Sequence, residues 1–370
     1  MTFVLFVLIL SVLILVHEAG HFLMAKKLGV KVEEFSLGFG KKLYSRVFSG
    51  TEYRLCAVPL GGYVKMAGDE RGQCKGKADE YFSKPLGHRS LIILMGPVVN
   101  YLLAYVCFSL VFMIGYIDLE ATQKAVPAVV GRVQANTPAA TAGFLAGDKV
   151  ASINNIAISN WSDMQEIISS AGTAKLQVSV IRHNTGYVLH VTPQVHKVKD
   201  LFGRERNVSR IGIEAEQLAS ADKLVVRRYG PVEALGKGSV ELAKITVKTY
   251  SALWEIVTGQ RSAKEGMTGL IGIFFIIKFA AAIGFSFLLH VIGIISASLA
   301  IFNLLPVIPL DGGHLFLIGL EKVRGRALSP KVDDIVAKIG FVLIITLAVF
   351  VFYVDFERIG LFDRFAHFLK

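Results

Sequence analysis

The stretch VHEAGHF, residues 16–22, lies within an apolar run that extends from Thr2 to Ala25. Such a run predicts a membrane-spanning helix, because about 20 apolar residues in helical conformation cover a ~30 Å hydrocarbon layer. On that helix His17 and His21, four positions apart, project from one face with Cβ atoms about 5–6 Å apart, so both imidazoles can reach one metal ion. Glu18 stands one position along and can lean over the ion without ligating it, where it could take a proton from bound water. Ionisable side chains inside a span are costly unless partnered, which makes a functional site their default reading. About fifteen residues precede His17, or about 22 Å of helix, placing the trio roughly three quarters of the way through the span.

The rest of the chain agrees with a membrane setting. Mean hydropathy is +0.54 and 53% of residues are hydrophobic, too apolar for an ordinary soluble protein. The net charge of +11 is scattered among loops flanking apolar runs, and no nucleic-acid motif accompanies it, so nucleic acid is not an expected partner. Cys56, Cys74 and Cys107 are odd in number and too widely spaced for a CxxC metal site, which leaves them as bystanders. The first run has no basic region before it and no small-residue cleavage site after it, so it reads as a retained helix and not a removed signal peptide.

Further spans are expected over Leu91 to Ile117, Ala280 to Leu305 and Ile339 to Val354, the last being short. A run from Leu270 to Ile277 is expected to stop at Lys278 and to be re-entrant or interfacial, giving four spans, or five if it crosses. Residues 26–90 hold thirteen Lys and Arg against seven acids, which predicts a cytoplasmic loop. Lys322, Arg324, Arg326, Lys331 and Lys338 after the third span point the same way. Both termini and the long segment 118–268 then lie outside, and the His-Glu-His trio lies nearer the cytoplasmic face.

Within the outer segment, short alternating apolar runs from Val129 to Val191, separated by Asn154-Asn155 and Asn184-Thr185-Gly186, predict small antiparallel strands. PAATAGFLAGDKVASINN, residues 138–155, resembles the PDZ-domain pattern. PDZ domains bind extended peptides or chain ends by strand addition to a sheet edge, and the module could also act as a steric plug. Residues Val232 to Val257 place Leu235, Leu242, Ile245, Leu253 and Ile256 near helical spacing with charges interleaved. This is either an amphipathic helix at the interface or an ordinary packed one.

A catalytic zinc takes three protein ligands and keeps one position open for water. The third ligand should come from another span, where Asp311, His314 and His290 are candidates. Asp311 is preferred because Pro306 and Pro309 break the helix before it and Gly312-Gly313 permit close backbone approach, a disruption tolerated at membrane depth only around a protected cavity. His314 is the alternative ligand, and His290 reads as a core residue.

HEAGH, GPVVN (Gly96 to Asn100), the PDZ-like stretch and NLLPVIPLDGGH (Asn303 to His314) together resemble the site-2 protease family of M50-type intramembrane zinc metalloproteases. SLGFGKK (Ser36 to Lys42) and VPLGGYVKMAGDE (Val58 to Glu70) resemble its bacterial RseP type. The resemblance implies Zn2+ held by His17, His21 and Asp311, with Glu18 as general base. It implies that Asn303 positions substrate, that Asn100 is structural or substrate-orienting, and that Pro59 to Tyr63, with Gly61 and Gly62, forms a re-entrant β-hairpin pairing with unwound substrate. Implied substrates are single-span membrane proteins, such as anti-sigma factors already trimmed outside, or signal-peptide remnants. One departure stands out: the common RseP form has tandem PDZ domains, and this chain has room for one.

The expected architecture is a polytopic α-helical membrane protein with an inserted extracytoplasmic PDZ domain of mixed α/β structure, in a bacterial inner membrane. Its parts are 1–117 (HExxH helix, β loop, second span), 125–215 (PDZ domain), 216–268 (amphipathic juxtamembrane region) and 269–370 (C-terminal membrane segment with LDG). The rival readings are a membrane adaptor with an inactive metal site and a metal transporter. The adaptor would use the same PDZ module, while the transporter would need a chain of ligands across the membrane, and one cluster is visible.

Overall fold

The computed structural model describes residues 2–72, 74–199, 205–216, 225–266, 268–327 and 329–358. Parts of the expected juxtamembrane region (217–224 and 267) and the last twelve residues of the C-terminal segment (359–370) lie outside the described residues. The chain divides into two compact units, one formed by Met1–Ile114 with Arg228–Glu357 and the other built on Gly115–Arg227.

In the first unit, α1 (Thr2–Lys27) ends on Lys26 and Lys27, cations that complement the carbonyl end of the helix dipole. Strands β1 (Val32–Phe48) and β2 (Thr51–Met66) follow. Each doubles back on itself, β1 near Gly38–Gly40 and β2 near Pro59–Gly61, so Leu37 pairs with both Gly62 and Leu55 while Tyr44 also pairs with Leu55. Two strands thereby make a sheet of four segments, with residues 62–66 at one edge and 42–48 at the other. The bend near Pro59 lies against α1, where the Ser11 hydroxyl donates to the Pro59 carbonyl. Helix α2 (Leu86–Ile114) packs along α1 and buries Ile92, Ala104 and Phe108 completely.

The second unit carries β3 (Tyr116–Ile117), α3 (Leu119–Lys124), β4 (Val130–Val133), α4 (Pro138–Ala142), β5 (Lys149–Ile153), β6 (Ile156–Ala157), α5 (Trp161–Ser170), β7 (Leu176–Arg182), β8 (Thr185–Val191), β9 (Gln194–Lys199), β10 (Glu205–Arg210), β11 (Ile213–Ala215) and β12 (Val226–Arg227). Four strands form an antiparallel sheet in the order β6-β5-β7-β8, and β4 pairs with β11. In β7 the period-two pattern of a half-buried strand turns Leu176, Val178 and Val180 into a core with Val130, Phe144, Val150, Ile153 and Met164. The helix boundaries follow side-chain caps: Thr137 accepts from the Ala140 amide ahead of α4, and Asn160 from the Asp163 amide ahead of α5. Asp148, fully buried, accepts from Nε and Nη2 of Arg182 at 2.7 and 2.8 Å and from the Leu145 amide at 2.9 Å.

The chain then returns to the first unit with α6 (Pro231–Val257), α7 (Ala263–Gly266), α8 (Leu270–Ile283), α9 (Phe285–Asn303), α10 (Asp311–Arg324) and α11 (Pro330–Arg358). Among the described residues, four helices are long and apolar enough to cross a membrane: α1, α2, α9 and α11 over Lys331–Glu357. The chain is therefore a polytopic helical membrane protein with separate mixed α/β sheet regions. α6 packs against α2 and α9.

The spans differ from expectation in their ends. Lys278 does not stop α8, since a lysine can keep its stem in apolar surroundings and its charge at a polar edge. The break falls at Gly284, whose φ of 139° ends α8 and delays α9 to Phe285. The last span is not short, because its helix extends through polar residues at both ends, from Pro330 to Arg358. Near that end the buried Asp355 carboxylate accepts from the backbone amides of Gly269, Ile271 and Gly272 at 3.2, 3.0 and 3.4 Å, capping the start of α8 from another helix.

Candidate active site

His17 and His21 face α2 from the buried side of α1. The helices touch because both contact positions are glycine: a β-carbon on Gly20 would stand 2.3 Å from the Met95 carbonyl oxygen, and one on Gly96 2.3 Å from His21 Nε2. His21 Nδ1 is 2.9 Å from the Ile92 carbonyl oxygen, which fixes the proton on that nitrogen and leaves Nε2 free to coordinate. His17 Nδ1 lies 3.4 Å from the Asn100 side-chain amide.

Asp311 arrives from the far end of the chain as the first residue of α10. The segment after α9 folds so tightly that a β-carbon on Gly312 would meet the Leu304 and Leu305 carbonyls. Three side chains then converge: the two Nε2 atoms lie 3.1 Å apart, Asp311 Oδ2 is 3.1 Å from His17 Nε2, and Asp311 Oδ1 is 3.5 Å from His21 Nε2. One ligand atom from each residue falls within 4.8 Å of the others. Ligands at ~2.0–2.1 Å around a tetrahedral Zn2+ stand about 3.3–3.4 Å apart, so the triangle has the right size. Two imidazole Nε2 atoms at this distance repel unless a proton or a cation lies between them. The buried Asp311 Oδ2 makes no hydrogen bond among the described residues. The donor set therefore fits a divalent cation with one open side.

That side opens into a cavity of ≈ 830 Å³ lined by His17, Glu18, His21, Asn303 and Asp311 together with Tyr63 and Val64 of β2. Val64 and Glu18 line the same wall of the cavity, beside the two histidines. Gly62, one residue earlier, would bring a β-carbon 3.5 Å from Glu18 Cγ, while Gly61 packs on the Phe39 ring; neither glycine lines the cavity, and neither does Asn100, which is fully buried. His314 lines the cavity one turn beyond Asp311, outside the three-atom cluster. His290 is elsewhere, with Nε2 3.7 Å from Glu241 and its ring 5.2 Å from that of Phe108.

One group of residues was not anticipated. Arg71 pairs with Glu321 and Asp333, Arg89 donates to Glu321 at 2.6 Å, and both guanidiniums lie over the Phe82 ring. These ion pairs join α2, α10 and α11 at the wall of the same cavity. Their positions in sequence bear no spacing relation to one another, so no motif reveals them.

A carboxylate beside a His-His-Asp cation site, set among membrane-spanning helices, defines a membrane metallohydrolase. The profile of Peptidase family M50 matches residues 5–347, and the chain belongs to that family. Two relatives carry the name "Putative zinc metalloprotease": one from Clostridium acetobutylicum is 34% identical over 93% of this chain and 94% of its own, and one from Rhizobium meliloti is 31% identical over 95% of each. The Regulator of sigma-E protease RseP of Escherichia coli is 27% identical over 96% of this chain and 98% of its own. That alignment runs over 447 residues, more than the 370 of this chain, so the relative carries insertions that this chain lacks. The chain is accordingly a zinc metalloendopeptidase of the membrane, suited to proteolysis of transmembrane segments.

Proposed function

We propose that this enzyme cleaves single-span membrane proteins within the bilayer, at a Zn2+ held by His17, His21 and Asp311, with Glu18 as general base. The observation that carries the proposal is the donor triangle beside Glu18 at the wall of one cavity. Bound Zn2+ supplies Lewis acidity towards the scissile carbonyl and acidifies water. Glu18 takes a proton from the attacking water and delivers it to the leaving amine.

A helical substrate hides its carbonyls in intrahelical hydrogen bonds and must be drawn out before hydrolysis. Residues 62–66 form a sheet edge whose other side pairs with β1, so an extended substrate can add as the next strand next to Glu18. Gly61 and Gly62 keep that edge free of side chains, and Asn303, at the end of α9, hydrogen-bonds substrate backbone in the cavity. The hairpin acts as a re-entrant element: Pro59 bonds to Ser11, which lies sixteen residues, or about 24 Å of helix, from the Lys27 end of α1.

By its own excess of Lys and Arg, the loop 26–90 faces the cytoplasm of a bacterial cell, and the second unit lies outside. That unit is read as one PDZ domain within 125–215. It binds extended peptide segments or excludes proteins whose outer part has not been trimmed, as with anti-sigma factors or signal-peptide remnants. The boundaries 1–117, 216–268 and 269–370 then delimit the first membrane half, the juxtamembrane region and the second half.

Membrane fractions from cells carrying the parent enzyme and Glu18→Gln test the reading. Single-span proteins should accumulate in the variant while purified variant enzyme keeps its zinc. Undiminished turnover by Glu18→Gln would remove the base, and absence of stoichiometric zinc from the parent would remove the metal centre.

A further inference from the structure

Metal-bound histidines are held in one tautomer by an acceptor at the second ring nitrogen. His21 has its acceptor in the Ile92 carbonyl at 2.9 Å. His17 directs Nε2 to the donor triangle, so its ring proton belongs on Nδ1 and needs an acceptor there too. Facing it is the Asn100 side chain, 3.4 Å away and fully buried, oriented with the amide nitrogen towards the ring and Oδ1 without a hydrogen bond among the described residues. With the proton on Nδ1, two donors would oppose each other in this orientation. Amide oxygen and nitrogen exchange places by a half-turn. After that turn Oδ1 accepts the His17 Nδ1 proton, and the nitrogen takes the unbonded position.

We propose that Asn100 is the positioning residue of the metal centre: its Oδ1 accepts from His17 Nδ1, fixing the tautomer and rotation that aim Nε2 at the cation. The side chain is fully buried and lies outside the cavity lining, so this role needs no contact with substrate. The Asn100 backbone is held separately, its carbonyl accepting from the Ser296 hydroxyl at 2.8 Å, so side-chain changes leave that helix contact in place. The inference rests on the assignment of Zn2+ to His17, His21 and Asp311.

The test is zinc affinity of the detergent-purified full chain, measured by competition with a chromophoric chelator, for Asn100→Leu, Asn100→Ser and Asn100→Asp beside His17→Ala. Leu keeps the volume without an acceptor and Ser cannot reach; both should bind zinc about 10- to 100-fold more weakly. Asp accepts in either rotamer and should bind at least as tightly as the parent. Parental affinity in Leu or Ser, or an Asp variant as weak as Leu, overturns the proposal. If Leu does not fold, the Ser and Asp pair decides. Unchanged zinc affinity in His17→Ala would instead discard the metal-site assignment itself.

Discussion

Gly96 of α2 lies directly against the His21 imidazole, so closely that its missing side chain forms part of the metal-binding geometry. A β-carbon there would sit 2.3 Å from Nε2 and 2.9 Å from His17 Cε1, where no rotamer change of the alanine can relieve it. Gly96→Ala should therefore displace both imidazoles. Misplacing a reacting group by about 1 Å costs on the order of 100-fold in rate, and the cleavage assay should show at least that loss with reduced zinc content. Gly87→Ala, near the start of the same helix with open space around it, is the control.

The ion pairs behind the cavity hold α10 to α2. Glu321 is buried between Arg71 and Arg89, and removing it strands Arg89 while Arg71 keeps Asp333. Glu321→Leu should destabilise the membrane unit by about 3–5 kcal/mol, and adding Arg89→Met should restore part of it. Denaturant unfolding in detergent micelles measures both, and equal stability of single and double variants would contradict the coupling.

Asp355 satisfies amides at the start of α8 from the opposite end of the polypeptide. Asp355→Ala leaves those donors unmet in apolar surroundings and should cost about 1–3 kcal/mol. Faster protease nicking around residues 258–269 would report the freed helix start.

In the second unit, burial pushes the Asp148 carboxyl up, but hydrogen bonds from Arg182 and the Leu145 amide outweigh it and leave the group below its ordinary value. A carboxyl with a lowered folded-state value stabilises fully above the unfolded value near ~3.9, and this contribution is lost as pH falls through the folded value. Arg182→Ala should lower stability at neutral pH and flatten its acid dependence below about pH 4. Fluorescence of the buried Trp161 in a Trp254→Phe background follows the transition.

Much of this architecture is legible in the sequence because membrane helices declare themselves by length. The first two apolar runs and the helical spacing from Val232 both correspond to helices. Asp311 could be preferred over His290 because Pro306 and Pro309 break the helix just before it, a disruption tolerated at membrane depth only around a protected cavity. The doubled sheet was harder: β1 and β2 each change partner midway, and alternation along the strand is the same on either side of such a bend. Lys278 misled because charge suggests an end to an apolar helix, whereas backbone conformation at Gly284 makes one. The Arg71–Glu321–Arg89 contacts were invisible, since residues so far apart meet only after α2 and α10 have packed.

The acidic corner of the donor triangle belongs to a helix translated long after the histidine pair. A nascent chain therefore enters the bilayer unarmed, with two imidazoles and no cage to close around an ion. The cage can close only once α10 has brought Asp311 to the two histidines.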